Sequence, residues 1–150
     1  MRALLQRVSQ ASVTVDGHIT GTIDKGLVVL LGIAVDDEER DANYLADKIV
    51  NLRIFADSEN KFNFSLLQVK GGLLVISQFT LLADTRHGRR PSFTGAAPPT
   101  KAEALYNYFV SKVGKYSLKV ATGIFAAHMA VELTNDGPVT ILLDSKDKLS

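Results

Sequence analysis

Leu73 to Phe93 reads LLVISQFTLLADTRHGRRPSF. It opens on four apolar residues, Leu73 to Ile76, the pattern of a strand buried on both faces, and then breaks into Ser77-Gln78-Phe79-Thr80. A strand that carries hydroxyls and an amide to the rim of a core sets hydrogen-bonding groups against apolar walls, which is how ligand sites are commonly built. The same four residues also fit a plain strand end that satisfies its own backbone. Behind them Arg86, His87, Arg89 and Arg90 crowd around Gly88, and Pro91 closes the run. Such a loop suits phosphate, and equally suits a solvated face.

Working outward from this strand, the flanking pattern predicts one compact unit over residues 1–150 with no repeat, linker or low-complexity tract. Ala3 to Val8 and Ser12 to Val15 are short and rich in β-formers, Asp16-Gly17 signals a hairpin, and Ile19 to Ile23 follows as its second arm. Gly26 begins LVVLLGI, expected to be a central strand. Asp36 and Asp37 with Glu38 and Glu39 predict a cap and an acidic first turn for a helix whose Ala42, Leu45, Ile49 and Leu52 share a face. Arg53 to Ala56 and Phe62 to Leu66 are expected to form a second hairpin around Asp57 to Lys61. After Pro98-Pro99, Thr100-Lys101-Ala102-Glu103 predicts a capping box, with Leu105, Tyr108, Phe109 and Val113 as the apolar face and Gly114 as the end. Strands are expected at Leu118 to Ala121, around Met129, Val131 and Leu133, and at Val139 to Leu143, the last two separated by Asn135-Asp136-Gly137-Pro138. The fold class expected is α/β, with curved sheet covered on one side by two main helices.

Composition narrows the functional classes. A chain of 150 residues can bury a real core without staples, and a net charge of +1 does not describe a general nucleic-acid coat, so any nucleic-acid contact is local to Arg86, Arg89 and Arg90. No apolar run approaches the length of a bilayer span, and MRALLQRVSQ lacks the pattern of an export signal. Thiol chemistry is impossible without cysteine, and a cytoplasmic address is the expectation. His18, His87 and His128 are scattered without a ligand motif, so no metal is expected; His87 and His128 read as surface or satisfied histidines rather than catalytic ones. The nearest approach to a serine-hydrolase elbow, Ile76-Ser77-Gln78, has neither glycine, and no phosphate-loop or dinucleotide fingerprint is present. What remains is a site of backbone amides, hydroxyls and a Gly-Pro turn, able to polarise an ester carbonyl without offering a protein nucleophile.

Gln6-Arg7-Val8, Asn51-Leu52-Arg53-Ile54-Phe55, Ser77-Gln78-Phe79-Thr80-Leu81, Ala83-Asp84-Thr85 with Arg89-Arg90-Pro91-Ser92-Phe93, and Asn135-Asp136-Gly137-Pro138-Val139-Thr140 together resemble the D-aminoacyl-tRNA deacylase family, also called D-tyrosyl-tRNA deacylase. The resemblance spans nearly the whole chain, and its two signature motifs stand in the expected order and separation. It implies a layered β/β/α domain, a homodimer with active sites at the subunit interface, no cofactor, and hydrolysis of the ester between a D-amino acid and the terminal adenosine of tRNA. By the same resemblance, Ser77, Gln78, Phe79 and Thr80 are the catalytic segment, with backbone N–H groups aimed at the scissile carbonyl. Gly137 and Pro138, joined by a cis bond, would enter the partner's pocket, meet the substrate amino group with their carbonyls and exclude L-amino acids. Arg7 would hold that motif, and Phe125 and Met129 would close the pocket. A lone threonine is a poor nucleophile, so assistance from the ribose 2′-hydroxyl is preferred over attack by Thr80.

The chain departs from the family pattern in two places. Asn60 precedes Lys61 and Phe62 where glycine and methionine are usual, and Ala126-Ala127 stands where a glycine-alanine pair is common; both bear on local turn and rim geometry. Bland readings stand beside the specific ones: Asn135 to Pro138 as an ordinary hairpin turn, Arg7 as a solvated strand residue, Phe125 and Met129 as core. Two other functions also fit these residues. One is a nucleic-acid binding module without catalysis that uses the basic loop and Phe93, and the other is a structural dimer.

Overall fold

The computed structural model describes residues 1–148. The chain runs β1 (Arg2–Val15), β2 (His18–Ile23), β3 (Gly26–Gly32), α1 (Glu39–Asn51), β4 (Phe55–Ala56), β5 (Phe62–Phe64), α2 (Leu66–Val69), β6 (Gly72–Ser77), a 3-10 turn (Phe79–Leu82), α3 (Pro99–Gly114), β7 (Val120–Thr122), β8 (Ala130–Asp144) and a last 3-10 turn (Ser145–Asp147). β1 is the axis. Its first half pairs antiparallel with β3 from Arg2 to Val8, its second half with β2 from Ala11 to Val15, and its other edge carries β8 from Arg2 to Thr14. β6 lies parallel to β3, and β7 parallel to β6. The six-stranded sheet curls until β2 meets β7 in a nearly barrel-like form: a Cβ added at Gly21 would stand 2.7 Å from the Thr122 carbonyl oxygen.

Alternation along the central strands divides the apolar residues between two sides. Leu27, Val29 and Leu31 of β3 and Leu73 and Val75 of β6 pack with Leu45 and Ile49 of α1 and Phe109 and Val113 of α3. Val28, Leu74 and Ile76 point the other way, into a smaller cluster with Val13 and Ile23 inside the curl. β6 is thus buried on both faces, as its continuous apolar run predicts. Among the described residues no helix is long and apolar enough to cross a membrane.

Several local expectations are corrected. The two early segments are one strand, β1, because both halves find partners on the same continuous edge of β8. The turn after it forms where Asp16-Gly17 places it, with positive φ at both residues (49° and 78°). The cap of α1 is Glu38, in a capping box with Asp41, because Asp37 is drawn into the core, where its carboxylate accepts the N–H of Ala34 at 2.6 Å. α3 begins at Pro99 without the expected side-chain box: proline at the first helical position has no N–H to satisfy, and Ala102 N–H donates to Pro98 O at 2.9 Å. The second hairpin is short, and Ser65 with Gln68 caps a helical turn, α2, whose first residue Leu66 is expected as the end of the strand.

The largest correction concerns Asn135 to Pro138. They make no hairpin. β8 passes through them and keeps its direction against β1, with Thr140 opposite Gln6 and Asn135 opposite Val8. Two steps along β1 therefore face five along β8, and the surplus is extruded from the strand as a bulge.

Candidate active site

Parallel pairing on both sides carries β6 to the rim of the sheet, where Leu31 and Ser77 form the last pair of its ladder with β3. Gln78 N–H still donates to Leu31 O at 2.8 Å, and the chain then winds into the 3-10 turn of Phe79–Leu82. The first residues of such a turn have no intrahelical acceptor for their N–H groups, here those of Phe79 and Thr80. Gln78 Nε2 donates to Thr80 Oγ1. At the far end of the turn Arg2 Nη1 donates to Leu81 O at 2.8 Å while its Nε donates to Asp144 at 3.2 Å. Nothing in the motif itself points to Arg2; only the antiparallel neighbourhood of β1 and β8 brings it there.

Beside this turn lies a cleft of about 550 Å³ with apolar walls that include Ile33, Ile76, Ala97, Phe125 and Met129. Ser77, Gln78 and Phe79 stand on it, as does His128. Thr80 is exposed and lies outside the lining, reached through Gln78. Beneath the cleft Tyr106 donates its hydroxyl to Val75 O at 2.7 Å, and burial pushes that phenol up to about 12. Its ring lies 6.1 Å from that of Phe125. Ile33, Ala96, Ala97 and Pro99 are wall residues that the sequence reading passes over; the small pair beside prolines was the available signal for a surface left open. Among the described residues no group of three His, Asp or Glu could hold a metal ion.

The basic loop springs from the same rim. Asp84 and Ser92 exchange backbone hydrogen bonds at 2.8 and 2.9 Å, closing residues 85–91 into a loop, and Phe93 meets Phe79 edge to face at 5.0 Å. Arg86 is not free in this arrangement. It grips Asp84 with two nitrogens at 2.9 and 2.7 Å, and this guanidinium, helped by the Arg86 backbone N–H, holds the Asp84 carboxyl down at about 2. Arg89 and Arg90 project into solvent.

Arg7, Gly137 and Pro138 form a second locus. The Gly137-Pro138 bond is cis, and Gly137 has φ +152°, a conformation that L side chains rarely adopt. Asn135 staples the neck of the bulge, accepting from Val139 N–H at 2.8 Å and donating to Val139 O at 3.2 Å. Arg7 Nε donates to Asp136 O. Gly137 and Pro138 are exposed and do not line the cleft of their own chain. Along β1 the cleft residue Val131 is level with Val13 and the neck of the bulge with Val8, which is about 16 Å at the rise of a strand.

A family described as D-Tyr-tRNA(Tyr) deacylase matches residues 4–144. A D-aminoacyl-tRNA deacylase of Caldicellulosiruptor saccharolyticus is 62% identical over 97% of this chain and 98% of its own length, and one of Fervidobacterium nodosum is 60% identical over the same shares. Among solved structures, one titled c-Myc DNA Unwinding Element Binding Protein superposes with a TM-score of 0.90 at 40% identity, covering 96% of this chain and 98% of that one. Another, titled a probable eukaryotic D-amino acid tRNA deacylase, gives a TM-score of 0.85 over 95% and 98% of the two chains; at 17% identity it speaks for the fold alone.

Proposed function

The chain belongs to the D-Tyr-tRNA(Tyr) deacylase family, and from that membership we propose that it hydrolyses the ester of D-aminoacyl-tRNA to free D-amino acid and tRNA while rejecting the L-ester. The observation that carries this reading is the pairing of a cleft bordered by Ser77, Gln78 and Phe79 with an exposed Gly-Pro bulge that its own cleft cannot use. A motif braced by Arg7 and Asn135 yet about 16 Å along the strand from the nearer cleft suits insertion into the cleft of a second copy. The active species is therefore a homodimer of β/β/α layered domains, each domain comprising the whole of residues 1–150, working in the cytoplasm where aminoacyl-tRNA is made.

In this reading water attacks the ester carbonyl carbon, and the negative charge that develops on its oxygen meets the N–H groups of Phe79 and Thr80. The carbon–oxygen bond to the ribose then breaks, and the ribose oxygen takes the proton that water releases. No histidine or carboxylate hydrogen-bonds Thr80 among the described residues, which favours the ribose 2′-hydroxyl as the group that assists attack. Gln78 orients Thr80, Phe125 and Met129 wall the amino-acid side, and the Gly137 and Pro138 carbonyls of the other copy receive the substrate ammonium. Arg89 and Arg90, with Arg86 in a lesser part, meet the phosphates of the acceptor end.

The test is hydrolysis of D-tyrosyl-tRNA and L-tyrosyl-tRNA side by side, with a 2′-deoxy D-ester as the third substrate. Loss of the D-ester alone supports the reading, and failure of the deoxy ester supports RNA assistance. A second reading, nucleic-acid binding without turnover, draws on the exposed Arg89 and Arg90 and on the printed name of one structural relative. Salt-sensitive tRNA binding with neither ester hydrolysed would favour it.

A further inference from the structure

The 3-10 turn that follows β6 has little of its own to hold it. Leu81 N–H reaches Gln78 O at 3.3 Å, longer than a well-made N–H to oxygen bond, and Ala83 N–H reaches Thr80 O at 3.1 Å. Two residues from the neighbouring strands hold it instead. Gly32 of β3 and Arg2 of β1 stand opposite one another in the antiparallel ladder. A Cβ added at Gly32 would lie 2.5 Å from Leu82 Cδ2, 3.0 Å from Gln78 O and 3.1 Å from Leu81 Cβ, so the turn sits directly on that glycine. Arg2 reaches across to the far end, where Nη1 donates to Leu81 O at 2.8 Å. The Asp84 N–H, which a continued 3-10 turn would offer to Leu81 O, goes to Ser92 O at 2.8 Å, and the guanidinium takes its place. Arg2 is itself aimed. Its Nε donates to Asp144 Oδ2 at 3.2 Å, while Asp144 Oδ1 accepts the Lys146 N–H at 3.0 Å.

We propose that Arg2 is a positioning residue for ester hydrolysis: by clamping the turn onto Gly32 it fixes the direction of the Phe79 and Thr80 N–H groups, which meet the charge that develops on the ester oxygen. The inference rests on the deacylase reading of the cleft. Arg2 is not among the residues that wall the cleft, so it acts through the turn and not on the ester. The charge on the carbonyl oxygen is small in the bound ester and grows only in the transition state. N–H groups that point a little astray therefore weaken the transition state more than they weaken the substrate complex. A planar fork is what the place requires, because one side chain must hold Leu81 O and the Asp144 carboxylate at once.

The test uses the full-length chain as wild type and as Arg2→Met, which keeps the stem and removes every donor. Steady-state hydrolysis of D-tyrosyl-tRNA is measured beside the amide resonances of Phe79 and Thr80. Arg2→Met is expected to lower kcat by about tenfold to a hundredfold, the scale of a small misplacement at a reacting centre, with KM within about twofold. Both amide resonances should shift. A lowered melting temperature with kcat unchanged would leave Arg2 a structural residue and overturn the proposal. A raised KM with kcat unchanged would overturn it too, since Arg2 would then be binding tRNA directly. Unmoved Phe79 and Thr80 resonances would do the same. That readout is independent of turnover: a wild type inactive on both esters would count against the deacylase reading, and the resonances would still decide whether Arg2 sets the turn. Arg2→Lys, which can reach Leu81 O or Asp144 but lacks the fork that holds both, carries the test with the same expected split if Arg2→Met does not fold.

Discussion

Arg7 Nε donates to the main-chain oxygen of Asp136 at 2.8 Å, the residue that immediately precedes Gly137. The same guanidinium sends Nη1 to Ile54 O at 2.8 Å and lies 5.6 Å from the centre of the Phe62 ring. One planar fork thus ties the bulge to the loop after α1. Lysine has the charge but not the fork. Arg7→Lys is expected to lower the preference for D-tyrosyl-tRNA over the L-ester by about tenfold, the equivalent of ~1.4 kcal/mol, with a small loss of thermal stability. Unchanged preference in a steady-state comparison of the two esters would remove Arg7 from the selectivity device.

Gly137→Ala is a sharper intervention. A Cβ there would stand 2.7 Å from Val139 N and from Val139 Cγ2, at a backbone angle that already disfavours any side chain. Val139 is buried and one of the two contacts is to its backbone nitrogen, so the melting temperature should fall by a few degrees while the circular dichroism spectrum keeps its native shape. Turnover of the D-ester should nonetheless fall about a hundredfold, the usual scale of a small misplacement at a reacting centre. A fully active and stereoselective variant would sink the role given to the motif.

Thr80 and the tRNA can be separated by crossing protein and substrate changes. Because the Thr80 oxygen accepts from Gln78 and no base attends it, Thr80→Ala should cost about tenfold or less. Removing the 2′-hydroxyl should cost at least about a hundredfold, the ordinary contribution of a proton-transfer group. The reverse ranking would return the leading role to Thr80.

The Asp84 and Arg86 pair sets a pH window. The carboxyl is held at about 2 against an ordinary 3.8, so the clip is fully formed above the ordinary value and is lost as pH falls through the lowered one. The Arg86 Nε–H resonance should therefore keep its bonded position at pH 4 and move between about pH 3 and 2. At neutral pH the clip leaves Arg86 less able than its neighbours to reach phosphate. Arg89→Ala or Arg90→Ala should reduce the salt slope of tRNA binding by about 0.7–0.9, and Arg86→Ala by less. Equal effects of all three would show that Asp84 does not withhold Arg86.

Ala126 has φ 64°, in the left-handed region, on the rim of the cleft. That conformation costs a non-glycine residue roughly 1–2 kcal/mol, while glycine adds roughly 0.4–1 kcal/mol of entropy to the unfolded chain. Ala126→Gly should raise the melting temperature by about 1–2 °C. A fall would show that the methyl group makes a contact on the rim worth more than the strain.

The parts of the fold that were legible in the sequence are those with a local physical cause. β6 and β3 announced themselves by unbroken apolar runs, the first hairpin by Asp16-Gly17, and α1 and α3 by the spacing of Leu45 and Ile49 and of Leu105 and Phe109. The resemblance leads one to expect glycine at Asn60 and Ala126, and both have positive φ, with asparagine tolerating it better. What stayed hidden depends on partners distant in sequence. Asn-Asp-Gly-Pro is turn chemistry, and only pairing with β1 on both sides makes it a bulge. Asp37 reads as a cap until Met1 arrives beside it, and no local pattern singles out Arg2, which meets the Leu81 carbonyl only once β1 is paired.

The bulge in β8 also bears on how the open edge of the sheet is kept from templating aggregates. Among the described residues β8 pairs with β1 alone, which leaves its outer side as the longest open edge of the sheet, the kind of edge on which aggregates are templated. Near the middle of that edge the strand buckles, and Pro138 offers no N–H to an incoming chain. A foreign strand could zip against a few residues on either side of the interruption but never along the whole length. The segment assigned here to chiral discrimination is also a guard against disordered self-association.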